Sequence, residues 1–330
     1  MRTVILKLVR LVFVLFIVTF LSFSMLKLQE SRSDIINKIA AFASPKEKER
    51  LREEIGLKDP FFVQYAHWLG NFVTGDFGKT YTGSGDNVTG VPVADSVQKR
   101  LPVSLELMLY AQIMALAIAL PLGIYTAYKN GSVFDRLANL SAFAMLAMPA
   151  FLAALLLQIY VAAKWHIWDL PTQYTGVGDF PLSPFSSEYW KQMLLPTISL
   201  AIAQIAVYMR LLRSDMIATL QEDFITTAKS KGIPPRRVLL RHAFRPSSLT
   251  LLTVAGLNVG ALISGAIVVE RIFGLPGIGS RLAESILGTQ SIETQALIAV
   301  IAVIYVLVNF VVDLLYTVLD PRIRHARAIA

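Results

Sequence analysis

Cysteine is missing from all 330 residues. That excludes a disulfide framework and any thiolate metal centre. Histidine is scarce too: His67, His166, His242 and His325 fall without ligand spacing. Charge is also in short supply. Asp, Glu, Lys and Arg make up 16% of the chain, against about 25% in an ordinary soluble domain. No GxxxxGKS/T segment occurs, so a phosphate-cradling loop of that kind is excluded. GLPGIGSRL (274–282) has the glycines without the Lys-Ser or Lys-Thr. HExxH and GxSxG are absent as well. A catalytic membrane protein should cluster His, Asp or Glu near one face, and the apolar runs supply almost none.

What fills the chain instead is apolar. Hydrophobic residues reach 55%, with a mean hydropathy of +0.56, so the protein reads as integral to a membrane. Six stretches without acid, Lys or Arg stand out as long, apolar candidates for spans: 11–26, 107–128, 137–163, 192–209, 246–269 and 294–312. A helix needs about 20 residues to cross the hydrocarbon. The shortest run is flanked by Arg10 and Lys27, whose long side chains snorkel, so the helix can begin near Lys7. A cleavable signal peptide shares this basic start. Ser22-Phe23-Ser24 is a poor cleavage site, which favours an uncleaved anchor. Pro121, Pro149 and Pro196 lie in or beside the runs and are tolerated where neighbours satisfy the freed carbonyls. Gly256, Gly260, Ser264 and Gly265 favour close helix contact or a cavity wall.

The net charge of +8 sits at the ends of these runs. With the N-terminus inside, the inner segments hold sixteen Lys and Arg, eight of them from Arg210 to Arg245. The two short outer loops hold four: Lys164, Lys191, Arg271 and Arg281. The segment 27–100 is too long to carry topological weight. The expectation is an all-α polytopic protein with six transmembrane helices, N-in and C-in, and a long outer loop after the first helix. A transmembrane helix would occupy 1–28, an extracytoplasmic segment 29–100, and a five-helix core 101–330.

Within the long outer segment, Lys46 to Lys58 suits a charged helix. FFVQYAHWLGNF (61–72) suits the membrane interface, and the Gly-rich stretch 75–90 reads as loop. A cap on the first helix and a docking surface for an outside partner are both open. The outer loop 164–191 is aromatic and Pro-rich. It is open to a role in closing a path, although belt aromatics account for Trp165, Trp168 and Trp190. Glu106 and Asp313 are the acids nearest the span interiors, and both lie at run edges.

One stretch breaks the apolar pattern: TTAKSKGIPPRRVLLRHAF (226–244), with five Lys or Arg and no acid. Met209 to Thr227 continues the preceding helix. Gly232 permits a turn, and Pro234 and Pro235 break the helix. A short amphipathic helix restarts near Arg236 and leads into the fifth span, with Pro246 at its entrance. A solvated, topology-setting loop explains the charge, whereas a docking element also explains the turn-plus-helix construction. Nucleic acid is a poor partner, because the stretch is short and lacks an aromatic stacking platform.

This segment resembles the coupling loop of the inner-membrane permeases of binding-protein-dependent ABC importers. The closest branch is the dipeptide/oligopeptide/nickel group, B-type subunit. The family pattern is Glu-Ala-Ala, three residues, Gly, nine residues, Ile-x-Leu-Pro. Thr226, Thr227 and Ala228 occupy the triplet, and Gly232 the glycine. His242 and Phe244 sit at the Ile and Leu positions, and Arg245 stands where Pro is expected, with Pro246 one later. TAKSKG and RHAFRP are more similar to the peptide-permease branch, which resembles TARAKG and RHALRN. The likeness extends to IGLKDPFFVQYAHWLGNFVTGDFG (55–78), RLPVSLELMLYA (100–111), VVERIFGLPGIGSRL (268–282) and DLLYTVLDPRIR (313–324).

The resemblance implies a type I ABC importer permease fold in the bacterial cytoplasmic (inner) membrane, with a coupling loop at 213–246. It implies half a translocation path, completed by a homologous second permease subunit. It further implies two ATP-binding cassette subunits carrying ATP and Mg2+, an extracytoplasmic solute-binding protein and a peptide substrate. The chain itself would be non-catalytic and hold no cofactor. Thr226, Thr227, Ala228, Lys229, Lys231, Gly232, Arg236 and Arg237 would form the ATPase-coupling surface. Ala228 and Gly232 would allow close approach and the cations would make rim ion pairs. Gln112, Gln204, Asn258 and Ser264 would be path residues; helix–helix hydrogen bonding is the alternative role for each. The same branch admits nickel or another small solute as cargo. A stand-alone secondary transporter should show buried charge and an internal repeat of broken helices, neither of which is clear. A membrane scaffold would explain 226–246 but not the polar residues within the spans.

Overall fold

The computed structural model describes residues 2–30, 36–37, 42–56, 59–174, 186–288 and 290–319. Three of the sixteen inner cations, Arg322, Arg324 and Arg327, and residues 175–185 of the outer loop lie outside them. The described fold is mostly helical. Its elements are α1 (Arg2–Glu30), α2 (Pro45–Glu54), α3 (Phe61–Val73), β1 (Lys79–Ser84), β2 (Asn87–Pro92), α4 (Val93–Tyr128), α5 (Val133–Ala147) and α6 (Ala150–Lys164). They continue with α7 (Ser187–Leu220), α8 (Asp223–Ser230), α9 (Pro235–Leu257), α10 (Val259–Phe273), α11 (Ile278–Leu287) and α12 (Ser291–Leu319).

Among the described residues, α4, α7 and α12 are each long and apolar enough to cross a membrane. The pairs α5/α6 and α9/α10 qualify as bent spans, which brings the count to five. α1 adds a shorter apolar stretch, Leu8–Ser24. The third apolar run is thus two helices, meeting at 103° where Met148 and Pro149 interrupt the ladder. Pro149 fixes an extended backbone that starts α6 and cannot continue α5. Pro196, by contrast, lies inside unbroken α7.

The chain forms two compact units. The first comprises Met1–Ser104 and Pro276–Phe310. In it α3 lies on α1. Tyr65 packs edge-on against Phe16, Phe20 and Phe23, and its hydroxyl meets Thr19 Oγ1 at 3.0 Å. Ser44 caps α2 by accepting the Glu47 N–H. The stretch expected to be loop contains an antiparallel hairpin, so the all-α expectation is corrected. Thr, Tyr and Val recur through KTYTGS and NVTGVP as strands require, and Gly85 starts the two-residue turn at φ +64. The turn is held by Gly85 N–H donating to Phe42 O (2.7 Å) and Ser44 N–H donating to Gly85 O (2.9 Å). Tyr81 is buried beside Ile36, Ala43 and Leu51. Burial and the nearby Glu54 carboxylate push its phenol up to about 12. A second core joins Val93 and Val97 to Ile278, Ala296, Leu297 and Val300. There Arg281 binds the buried Glu293 through two bonds of 2.6 and 2.8 Å.

The second unit comprises Leu105–Leu275 and Val311–Ala330. Its centre is α7, against which α5, α6, α9 and α10 all pack. Small residues allow this. A Cβ on Gly123 would come within 3.1 Å of Leu212 and of the Met209 carbonyl, and one on Gly265 within 2.7 Å of Leu200. At 34 residues α7 is about 51 Å long, well beyond the hydrocarbon thickness. Its C-terminal turns therefore project past the apolar run.

Candidate functional site

The site is the segment that follows α7. The helix does not continue to Thr227. It stops at Leu220, and Glu222 is extended, so α8 starts afresh with Asp223 in its first turn, where the helix dipole favours an acid. Ile225 (0% exposed) and Ala228 (6%) are its inward face. Thr226, Thr227, Lys229, Ser230 and Lys231 are exposed, and Phe224 is half-exposed.

Gly232 ends α8 in a left-handed conformation at φ +72. Its N–H donates to Lys229 O at 2.9 Å, and the Ile233 N–H donates to Ala228 O at 3.3 Å. This pair of bonds is a Schellman stop, which needs a residue without a Cβ penalty. Pro234 is extended and Pro235 opens α9, a position where the missing N–H costs nothing. Pro246 falls in the first turn of the α-helical stretch Phe244–Leu257, which continues α9 without a break. The wide turn Val238–Ala243, which ends three residues before it, is π-helical, a geometry that relieves the carbonyl four residues before the proline.

Val238, Ala243 and Ser247 point inward. Ser247 Oγ meets Thr219 Oγ1 at 3.0 Å, tying the end of α7 to α9. Arg236, Arg237, Arg241 and Arg245 are exposed. With Lys229 and Lys231, they have no carboxylate partner among the described residues. The structure therefore brings Thr226, Thr227, Lys229, Lys231, Gly232, Arg236 and Arg237 to one exposed surface. Ala228 is turned the other way, and its small side chain serves packing within the chain.

Of the four polar residues of the spans, Gln112 lies where α4, α7 and α9 meet, its Nε2 donating to Ala255 O at 3.5 Å. Tyr208 OH donates to Gln112 Oε1 at 3.1 Å, linking α7 to α4. Gln204 is buried, and its Oε1 has no partner among the described residues. Asn258 is half-buried at the 45° break between α9 and α10. Ser264 is exposed on α10. Glu106 accepts a hydrogen bond from Tyr189 OH.

An ion pair between the buried Asp135 and the half-buried Arg213 has no signature in the charge pattern of the sequence. Asp135 and Arg213 form a bidentate pair at 2.5 and 2.8 Å between α5 and α7. Gly131 N–H and Asn139 Nδ2 also donate to Asp135, and Arg213 donates to Asn130. The legible signal was Ser132-x-x-Asp135, a capping pattern, and Ser132 Oγ does accept the Asp135 N–H.

Comparison with known proteins fits this architecture. Residues 119–325 match the model of the binding-protein-dependent transport system inner membrane component. Residues 1–108 match the N-terminal model of the same membrane components. The chain belongs to this family. Among curated relatives, a putative peptide transport system permease of Brucella abortus is 34% identical over 313 residues, covering 94% of this chain and 95% of the relative. The dipeptide transport system permease DppB of Escherichia coli K12 is 34% identical over 301 residues, covering 86% and 87%. A probable peptide ABC transporter permease of Sinorhizobium fredii is 33% identical over 292 residues, covering 87% and 89%. This permease is accordingly a multi-pass inner-membrane subunit of a multi-subunit ABC importer. As the membrane component it is non-catalytic, with ATP and Mg2+ acting on separate subunits. The segment α8–α9 falls in the middle of the larger family match, and α1 to the start of α4 falls in the smaller.

Proposed function

We propose that this permease carries dipeptides or oligopeptides. It supplies half of the translocation path, a homologous permease supplies the other half, and an extracytoplasmic solute-binding protein delivers cargo. Six spans cross the membrane with both termini inside: α1, α4, the pair α5/α6, α7, the pair α9/α10, and α12. The chain divides into an anchor at 1–28, an outer segment at 29–100 and a five-helix core at 101–330, with the coupling loop at 213–246. The peptide-transport names of relatives aligned over most of the chain support the cargo class.

The observation that carries the coupling reading is α8 itself. It is a two-turn helix anchored from within by Ile225 and Ala228, stopped by Gly232, and exposed on its other face. Each of two ATP-binding cassette subunits would receive one such helix in a groove, one from each permease, with Lys229, Lys231, Arg236 and Arg237 at the rim. ATP-driven closure of the cassettes would then bias the permease between inward- and outward-open states.

The test is a cysteine at the exposed Lys231, crosslinked in the purified complex. A nucleotide-sensitive crosslink to the ATPase is expected. A Lys231→Cys complex that hydrolyses ATP and imports peptide yet gives no ATPase crosslink with any linker length would overturn the assignment.

A further inference from the structure

Beside the Asp135–Arg213 pair lies an open cleft of about 440 Å³, lined by residues of the second unit. That is inside the range of about 300–1,000 Å³ usual for small-molecule sites. Its walls come from α5 (Asn139, Leu146), α7 (Val207, Arg210, Ser214) and α9 (Val254). Arg213 also lines it, but its charge is spent on Asp135.

Arg210 is different. It is half-buried, and no carboxylate pairs with it among the described residues. Its guanidinium carbon lies over the Phe143 ring, 4.0 Å from the centroid. A ring contact of that kind occupies the face of the guanidinium and leaves its in-plane N–H groups to bind something else. An unpaired guanidinium beside apolar walls favours an anion.

The other polar groups narrow the choice. Asn139 spends its amide N–H groups on Asp135, leaving Oδ1 as an acceptor. Ser214 offers an exposed hydroxyl. The cleft thus presents a cationic fork, one acceptor and one hydroxyl, with Leu146, Val207 and Val254 around them. A peptide's C-terminal residue has matching parts: a carboxylate for Arg210, an amide N–H for Asn139 Oδ1, and a side chain for the apolar wall. A lipid phosphodiester would also use the guanidinium, and a headgroup ammonium or hydroxyl would serve the Asn139 acceptor, so the test includes a lipid outcome.

We propose that this cleft is a station for the transported peptide at the inner end of the path, with Arg210 taking its C-terminal carboxylate. The inference rests on the peptide-importer reading. It makes the cation at residue 210 a cargo contact, beyond its role in setting topology.

The test uses the complete importer in sealed proteoliposomes and two probes, alanyl-photoleucine and its C-terminal amide. Irradiation during turnover, followed by peptide mapping, is expected to place the acid probe on Leu146, Val207 or Val254. Labelling by the amide should be about tenfold lower or less, the scale of one charge-assisted bond. Arg210→Gln should reduce acid labelling to the amide level, and Arg210→Lys should retain part of it. The acid–amide comparison needs no variant, so a folding defect at residue 210 does not blunt the test. Equal labelling by both probes, or labelling only elsewhere while uptake of the acid proceeds, would overturn the proposal and leave the importer reading standing. Failure of the wild-type complex to import alanyl-photoleucine would overturn the peptide reading and this inference together. A phospholipid that co-purifies with the wild type and is lost in Arg210→Gln would assign the cleft to lipid instead.

Discussion

α7 and α12 are both unbroken helices long enough to cross a bilayer, yet they are opposites. α12 is the more apolar, and 22% of its most apolar window is buried in protein; α7 is the less apolar, and 61% of its window is buried. α7 encloses Gln192, Thr197, Ser199, Gln204 and Tyr208. α12 leaves Tyr305, Leu307 and Val311 uncovered. In lipid the hydrophobic effect does not drive one helix onto another, because acyl chains are as apolar as leucine. Hydropathy therefore reports which medium touches the helix. A helix packed against other helices can hold polar groups, some of them bonded by neighbours, as Tyr208 is to Gln112. On the less covered α12 a polar side chain turns to its own backbone, as Asn309 Nδ2 donates to Tyr305 O at 2.9 Å.

If that contrast is right, the largest single losses lie where α7 is clamped. Asp135→Leu would strand Arg213 among protein groups with no counter-charge. A loss of about 3–5 kcal/mol is expected, read as a lowered unfolding midpoint in nanodiscs. Adding Arg213→Met should restore most of it. A single mutant that melts like the wild type would show the pair to be dispensable. Leu212 is fully buried, so Leu212→Ala should cost about 2–5 kcal/mol by the same readout. Gly123→Leu attacks that contact from the α4 side. Its Cβ would press within 3.1 Å of Leu212 and of backbone at Met209. Overpacking of this kind costs about 1–3 kcal/mol.

The sequence made the membrane class legible because apolar runs need no partner to be recognised. It also exposed the turn at Gly232 and the restart at Pro235, because both residues act through their own backbone. What it hid depends on distant neighbours. Pro149 breaks a span and Pro196 does not, and only the groups around each proline decide which. Asp135 and Arg213 are 78 residues apart, so charge counting treated Arg213 as a topology marker. Inside α8, by contrast, the inward turn of Ala228 follows the i, i+3 spacing of Ile225 and Ala228 among polar neighbours, a pattern the sequence does carry. The hairpin was hidden differently. Its glycines drew attention from the β-branched residues between them, although Gly85-Asp86 is an ordinary two-residue turn.

A smaller and more local effect is expected at Gly232. Its φ of +72 penalises any side chain, but a Cβ there would meet nothing within 4 Å. Gly232→Val should therefore strain the stop of α8 by about 1–2 kcal/mol while leaving the spans packed. The unfolding midpoint should move less than in Gly123→Leu. Peptide imported per ATP hydrolysed should fall, since the stop fixes how α8 is presented. Normal import at normal expression would disconnect this turn from coupling.

The smallest effect should fall on the exposed side of α12. Leu307 is 45% exposed. Leu307→Ala in the isolated chain removes contacts with acyl chains, and these re-form around the smaller residue. It opens no cavity and exposes nothing to water. A change within about 0.5 kcal/mol is expected, as for other substitutions away from packed features. Repeating the measurement in the assembled importer sharpens the contrast. A shift that stays small there means lipid covers this face in the working complex. A shift that grows to the size of Leu212→Ala means another subunit covers it, and the apolar character of α12 then belongs to an interface between chains.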